Sequence, residues 1–199
     1  MTQMHPFPVW GMVPKTQEVA IMATAFEISR LLIGQGADAG NMAHVLESLS
    51  NADQTPVWGP GAVGAHLTPD EAAVIIIGAT AAAPEQAAAH VAKASEMVRH
   101  DGRSLGQVLT EILAAEPHEI YASEMSIGLQ GTQARIRYQR GLSDVFSVNG
   151  GLSAFCPSAI IRGSLLQAVA MKLSRPTTGG WKEAADEHEG STAAEKGTD

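Results

Sequence analysis

A chain of 199 residues can bury one substantial core and suits a single domain with appendages. One cysteine, Cys156, excludes an intramolecular disulfide and a multi-cysteine zinc site, and it fits a reducing cytoplasm. The net charge of −8 is uneven: residues 1–124 carry 14 acidic and 5 basic side chains, residues 125–175 carry 1 and 6, and residues 176–199 carry 6 and 2. A positive segment inside an acidic protein is a candidate anion-facing surface; the alternative is that it complements the acidic helices.

Residues 1–15, with Pro6, Pro8 and Pro14, read as irregular, with Phe7 and Trp10 packing onto the body. There is no early basic cluster, and Glu18, Glu27 and Arg30 break the first apolar helix. Neither a secretory signal nor a membrane anchor is expected. That helix begins at Thr16 as its cap, and Val19, Met22, Ala23, Phe26 and Ile33 recur at helical spacing until Gly34-Gln35-Gly36 stops it. A second helix over residues 39–50 turns Met42, Val45, Leu46 and Leu49 inward and His44, Glu47, Ser48 and Asn51 outward. Two helices joined by a glycine turn can form a helix-turn-helix. The second one has no Lys or Arg, so a plain helical hairpin over residues 16–51 is the expectation.

Residues 52–66 form a linker rich in glycine and proline. Gly59-Pro60-Gly61-Ala62-Val63-Gly64 matches the glycine spacing of dinucleotide-binding turns. That motif needs a strand before it and a helix opening directly from it. Here Pro60 removes an amide and the next helix cap lies beyond, at Thr68, so the stretch is read as a connection and no cofactor is expected.

The core domain is placed at residues 67–175. Thr68-Pro69-Asp70-Glu71 is a capping box with proline at the first helical position. The run Ala72 to Ala79 is apolar on every side, which predicts a central helix, ending near Ala82, that its neighbours cover. Pro84-Glu85 starts another helix to about Arg99, with alanines, Val91 and Val98 as a small-residue face. Ser104-Leu105-Gly106-Gln107 is a second capping box, and Leu105, Val108, Leu109, Ile112 and Leu113 follow helical spacing to the break at Pro117.

After His118 the period becomes two. Met125, Ile127 and Leu129 alternate with other positions, then Ala134, Ile136 and Tyr138 alternate with Gln133, Arg135, Arg137 and Gln139, and residues 144–148 supply a third strand. Arg135 and Arg137 project from one face about 7 Å apart. With Gln139 and with Arg140 at the turn, they form a candidate grip on successive phosphates, as in a β-wing. A solvated strand face with cross-strand partners is the alternative. Gly150-Gly151 and Pro157 enclose an irregular piece in which Cys156 reads as a buried thiol, since no base lies nearby in sequence. A last helix over residues 163–174 turns Leu165, Leu166, Val169 and Leu173 inward and leaves Arg162, Lys172 and Arg175 exposed. Residues 176–199 cannot supply a core and are expected to be disordered.

The seven histidines, at 5, 44, 66, 90, 100, 118 and 188, have no metal-binding spacing. No serine lies in a nucleophile-elbow context, and Asp70-Glu71 is explained by its helix N-terminus. A non-enzymatic role without metal or cofactor is expected.

The pattern Leu67-Thr68-Pro69-x-x-Ala72-Ala73-x-x-Ile76-Ile77, followed by Ala81, Pro84, Ala87-Ala88 and Val91, resembles a recurrent segment of small uncharacterised bacterial proteins, often phage- or prophage-associated. The similarity spans about residues 20–175, including the Gly/Pro linker, a β-region over residues 126–148 and a final helix like Ile161-Arg162-Gly163-Ser164-Leu165-Leu166. The resemblance implies a domain type and a mobile-element context, hence a regulatory role, and carries over no functional residue. The expected fold is α+β and mainly α: a helical core of about five helices, a small antiparallel hairpin or three-stranded unit, and a C-terminal helix. The expected activity is DNA binding in transcription regulation, winged-helix-like, through Arg135, Arg137, Gln139, Arg140 and Arg162. The partner is double-stranded DNA; the alternative is an oligomeric assembly or adaptor module that binds itself or another protein, with no membrane contact.

Overall fold

The computed structural model describes residues 23–55, 66–148 and 157–174. The expectations for Phe7, Trp10, Thr16, the glycine-rich turn at residues 59–64, Cys156 and the tail at residues 176–199 lie outside the described residues. The elements are α1 (Ala25–Gly34), α2 (Ala39–Asn51), α3 (Pro69–Gly78), α4 (Ala87–Ser95), α5 (Leu105–Ala114), β1 (Ala122–Gly128), β2 (Gln133–Tyr138), β3 (Ser143–Ser147), β4 (Ser158–Arg162) and α6 (Gly163–Ser174). The α+β class, with substantial helical content, is as the sequence indicates. Among the described residues no helix is long and apolar enough to cross a membrane.

Thr68 fixes the start of the central helix. Its hydroxyl accepts from the Glu71 amide at 3.3 Å, and the Glu71 carboxylate accepts from the Thr68 amide at 2.7 Å. These bonds satisfy two amides that an uncapped helix would leave open. Ile75, Ile76 and Ile77 are buried on different sides of α3, because α1, α2, α4, α5 and α6 all pack against it. Each such side chain contributes about 1.5–3 kcal/mol by leaving water. Gly78 lets α2 approach: a Cβ there would stand 3.0 Å from Leu49 Cδ1.

Three helix boundaries differ from the sequence expectation. Within the described residues α1 begins at Ala25, inside the run expected to be one helix, because Thr24 takes an extended conformation and closes a capping box with Glu27. Its neighbour Ala23 accepts from the Leu67 amide at 2.8 Å, which ties this start to the start of α3. The central helix stops at Gly78, where Thr80 turns back to donate to the Ile77 carbonyl at 2.6 Å. The next helix opens with a 3-10 turn (Pro84–Gln86) and ends at Ser95. Beyond it Val98 is extended and exchanges two backbone bonds with Ser147 at the border of β3, at 3.3 and 3.2 Å. Ser48 does not face outward as expected. Its hydroxyl donates to the Glu85 carbonyl at 3.1 Å and accepts from the Ala88 amide at 3.3 Å, fastening α2 to the start of α4.

The sheet has four antiparallel strands in the order β3-β2-β1-β4, not the three expected. The missed strand, β4, is five residues long and runs straight into α6, so periodicity had no length in which to declare it. Met125, Ile127, Ala134, Ile136, Phe146 and Ile161 form the buried face of the sheet, with α6 packed on β1 and β4. Gly163 makes that passage sterically feasible, since a Cβ there would collide with the Ala122 carbonyl oxygen.

Asp144 joins the sheet to the turn before α5. Its Oδ2 accepts from Arg99 Nη1 at 2.5 Å and from the Tyr138 hydroxyl at 2.8 Å. Arg99 also grips the Asp101 carboxylate, and Arg103 donates to Asp101 and, at 2.6 Å, to Glu111 on α5. The Arg99 guanidinium holds the Asp101 carboxyl well below the usual carboxylate range. Burial, with the Asp144 bond second, pushes the Tyr138 hydroxyl up to about 12.

Candidate nucleic-acid interface

Strand register decides which side chains share the outer face of the sheet. Glu124 on β1 is paired with Arg137 on β2 and with Arg162 on β4, and Arg137 is paired with Ser143 on β3. The next row is Val145, Arg135, Ser126 and Ile160 across the same four strands. Arg135 and Arg137 therefore lie on one face, as their spacing predicts, and Arg162 joins them from a strand that periodicity did not reveal. Gln139 and Arg140 are exposed in the β2–β3 turn, at the end of the sheet nearest the Arg137 row. Gly141 permits that turn with a φ of 81°. The five expected residues thus gather at one end of one sheet, with Arg135 a row further in.

Arg137 Nη1 lies 3.7 Å from Glu124 Oε1, a loose and solvated pair of the kind worth little. Arg135, Arg140 and Arg162 have no acidic partner within 4.0 Å among the described residues. Arg99 and Arg103 contrast with them, because Asp101, Asp144 and Glu111 already neutralise their charge. The net positive charge of residues 125–175 is therefore concentrated on this face and its turn. Sequence reading missed Glu124, which stands between two arginines, and Ile160, 62% exposed in the Arg135 row. Both follow from cross-strand register, which a single strand's alternation does not contain.

Strands about 4.8 Å apart put Arg137 and Arg162 about 10 Å apart across β1, while Arg135 and Arg137 are about 7 Å apart along β2. Such a grid of guanidinium groups can meet phosphate or carboxylate oxygens with paired N–H donors. β2 is hydrogen-bonded on both sides, to β3 and to β1, so the arginine-bearing hairpin is part of a four-stranded sheet. No group of three His, Cys, Asp or Glu able to hold a metal ion occurs among the described residues. Comparison with family models, with curated proteins and with solved structures finds no match for this chain.

Proposed function

We propose that the outer face of the sheet binds the phosphate backbone of duplex DNA, in a phage- or prophage-type regulatory protein. The observation that carries this reading is the alignment of Arg135, Arg137 and Arg162 on one exposed face beside Arg140, three of the four without an acidic partner among the described residues. The regulatory and mobile-element context rests on the resemblance of residues 20–175 alone.

The width of the platform narrows the mode of binding. Four strands about 4.8 Å apart span about 14 Å before side chains are added, wider than the roughly 12 Å major groove. A two-stranded ribbon enters that groove; this sheet does not. The arginines therefore act on phosphates along the rim, which positions the protein without reading bases. In this reading the four-stranded face takes the part that the sequence expectation gave to a β-wing.

The test is fluorescence anisotropy with mixed-sequence duplex at two salt concentrations, on the full chain and on the Arg135→Ala/Arg137→Ala variant. Counterion release gives log K against log salt a slope of about −0.9 per phosphate contacted, so the double variant should bind more weakly with a slope smaller by about 2. Absence of binding at low salt rejects the reading.

A second reading, self-association or a protein partner, is favoured by Ile160, an exposed branched apolar side chain among the arginines. Sedimentation of the wild type and of Ile160→Glu separates the two. A dimer abolished by the glutamate, in a protein that does not bind DNA, selects the protein-partner account.

A further inference from the structure

The two borders of the sheet are unlike. At the β3 border the Tyr138 amide donates to the Leu142 carbonyl at 2.9 Å, so by alternation Ser143, Val145 and Ser147 turn their backbone groups away from β2. Val98 takes both outward groups of Ser147, and Arg99 bonds the neighbouring Asp144 carboxylate. The chain thus covers part of this border itself.

At the β4 border the phase is set by the Leu129 amide, which donates to the Pro157 carbonyl at 2.9 Å. In the same register Ala159 and Ile161 turn their backbone groups to β1, while Ser158, Ile160 and Arg162 turn theirs the other way. No strand among the described residues meets them there. The three residues are exposed, and Ala159-Ile160-Ile161 has neither a charge nor a proline to guard the edge.

The strand is its own complement. Antiparallel pairing of β4 with β4 of another copy, about a two-fold axis through Ile160, overlaps all five residues, and every other register overlaps fewer. It sets outward-turned residues opposite outward-turned residues: Ile160 against Ile160, Ser158 against Arg162. The two Ile160 residues exchange a pair of backbone bonds, and each Arg162 amide meets a Ser158 carbonyl. The Arg162 carbonyl is left to the first turn of α6, which follows directly. The side chains agree with this register, since two Ile160, each 62% exposed alone, cover one another and Arg162 faces a serine. Parallel self-pairing in register would instead stack arginine beside arginine.

We propose that β4 pairs edge to edge with β4 of a second copy of this chain, joining two sheets into one of eight strands. The axis stands normal to the sheet, so both sets of arginines face the same side. The proposal rests on the self-association reading and gives it a surface; it does not require DNA.

The experiment is amide exchange by NMR, with sedimentation, on the full chain from about micromolar to about millimolar protein. A dimer should form across this range, and with it the Ile160 and Arg162 amides should slow by about tenfold or more. The Ile161 amide, bonded to β1, should be protected throughout. Ile160→Pro deletes an N–H that the β1–β4 ladder does not use, so the monomer should keep its fold. It removes one bond from each copy and should weaken the dimer by at least about thirtyfold, whereas Ile160→Val should keep it. A dimer whose Ile160 amide still exchanges freely, or one that survives Ile160→Pro, would overturn edge pairing while self-association stands. A monomer throughout would overturn both. The exchange data on the wild type decide the matter even if Ile160→Pro fails to fold.

Discussion

Arg99 and Asp144, 45 residues apart in sequence, meet with Arg99 Nη1 2.5 Å from Asp144 Oδ2. Both are mostly shielded, at 13% and 19% exposure. Such a pair is worth more than a surface ion pair, and breaking it strands a charge in a partly dry place. Asp144→Asn removes the charge but keeps the shape and one acceptor oxygen. It should lower the thermal midpoint by roughly 5 °C, and it should also shift the Tyr138 phenol, which bonds the same oxygen. Calorimetry with ultraviolet titration of tyrosine checks both; an unchanged midpoint would mean that Asp101 alone suffices to hold Arg99.

Stability should fall on the acid side of neutrality because of His90. Burial strips water from its ring and Lys93 adds positive charge nearby, so its pKa lies below the ordinary 6.5. Between that lowered value and 6.5 the unfolded chain holds more protons than the folded one, so stability drops as pH falls through this window and is level above it. The Asp101 carboxyl, held low by Arg99, adds a further loss only below its ordinary 3.8. Urea midpoints from pH 8 to pH 5 should therefore decline in the wild type and decline less in His90→Gln.

Gly163→Ala tests the passage from strand to helix. The added methyl meets backbone, the Ala122 carbonyl, not a side chain that can swing aside. Overpacking of a well-filled site costs about 1–3 kcal/mol, and a backbone collision belongs at or above the upper end. Chemical denaturation should show a loss of about 3 kcal/mol or more. Gly106→Ala is the control, because the nearest atom to its Cβ, Ser104 Oγ, is 3.9 Å away. It should be neutral or stabilising by up to about 1 kcal/mol.

Glu124 is the one carboxylate among the outward arginines in its row, and its effect on anion binding has a definite sign. It lies 3.7 Å from Arg137 and opposes any phosphate placed between Arg137 and Arg162. Glu124→Gln should tighten duplex binding by about threefold at low salt, with the gain fading as salt rises. A weaker complex would instead assign Glu124 a positioning role for the arginines. Anisotropy on the same duplex decides between them.

Local chemistry in the sequence located much of this fold. The capping boxes at Thr68 and Ser104 form as their spacing predicts, each with both reciprocal bonds. Alternation along residues 133–138 put Arg135 and Arg137 on the solvent side, opposite Ala134 and Ile136. What escaped was non-local. Thr24 was hidden because its capping box with Glu27 sits inside a longer run of helical spacing, and the bridge to His66 that fixes it spans the linker. The strand at Ser158–Arg162 has only five residues, and its partner, β1, lies about thirty positions earlier. The contact of His90 with Thr80 is likewise non-local to α4, because Thr80 lies in the turn after α3 and one helix's pattern does not contain it.

The chain passes from Arg162, the last residue of β4, to Gly163, the first of α6, with no loop between them. Slack that an ordinary connection would absorb is therefore missing at this corner. A pull on the Arg162 guanidinium is a pull on the first turn of α6, and Lys172 Nζ, 3.3 Å from Glu27 Oε1, extends that linkage to α1. An anion seated on the sheet thereby loads the helical layer behind it, so occupancy should register as slowed amide exchange along α6 and, beyond it, in α1, which carries none of the arginines that touch the ligand.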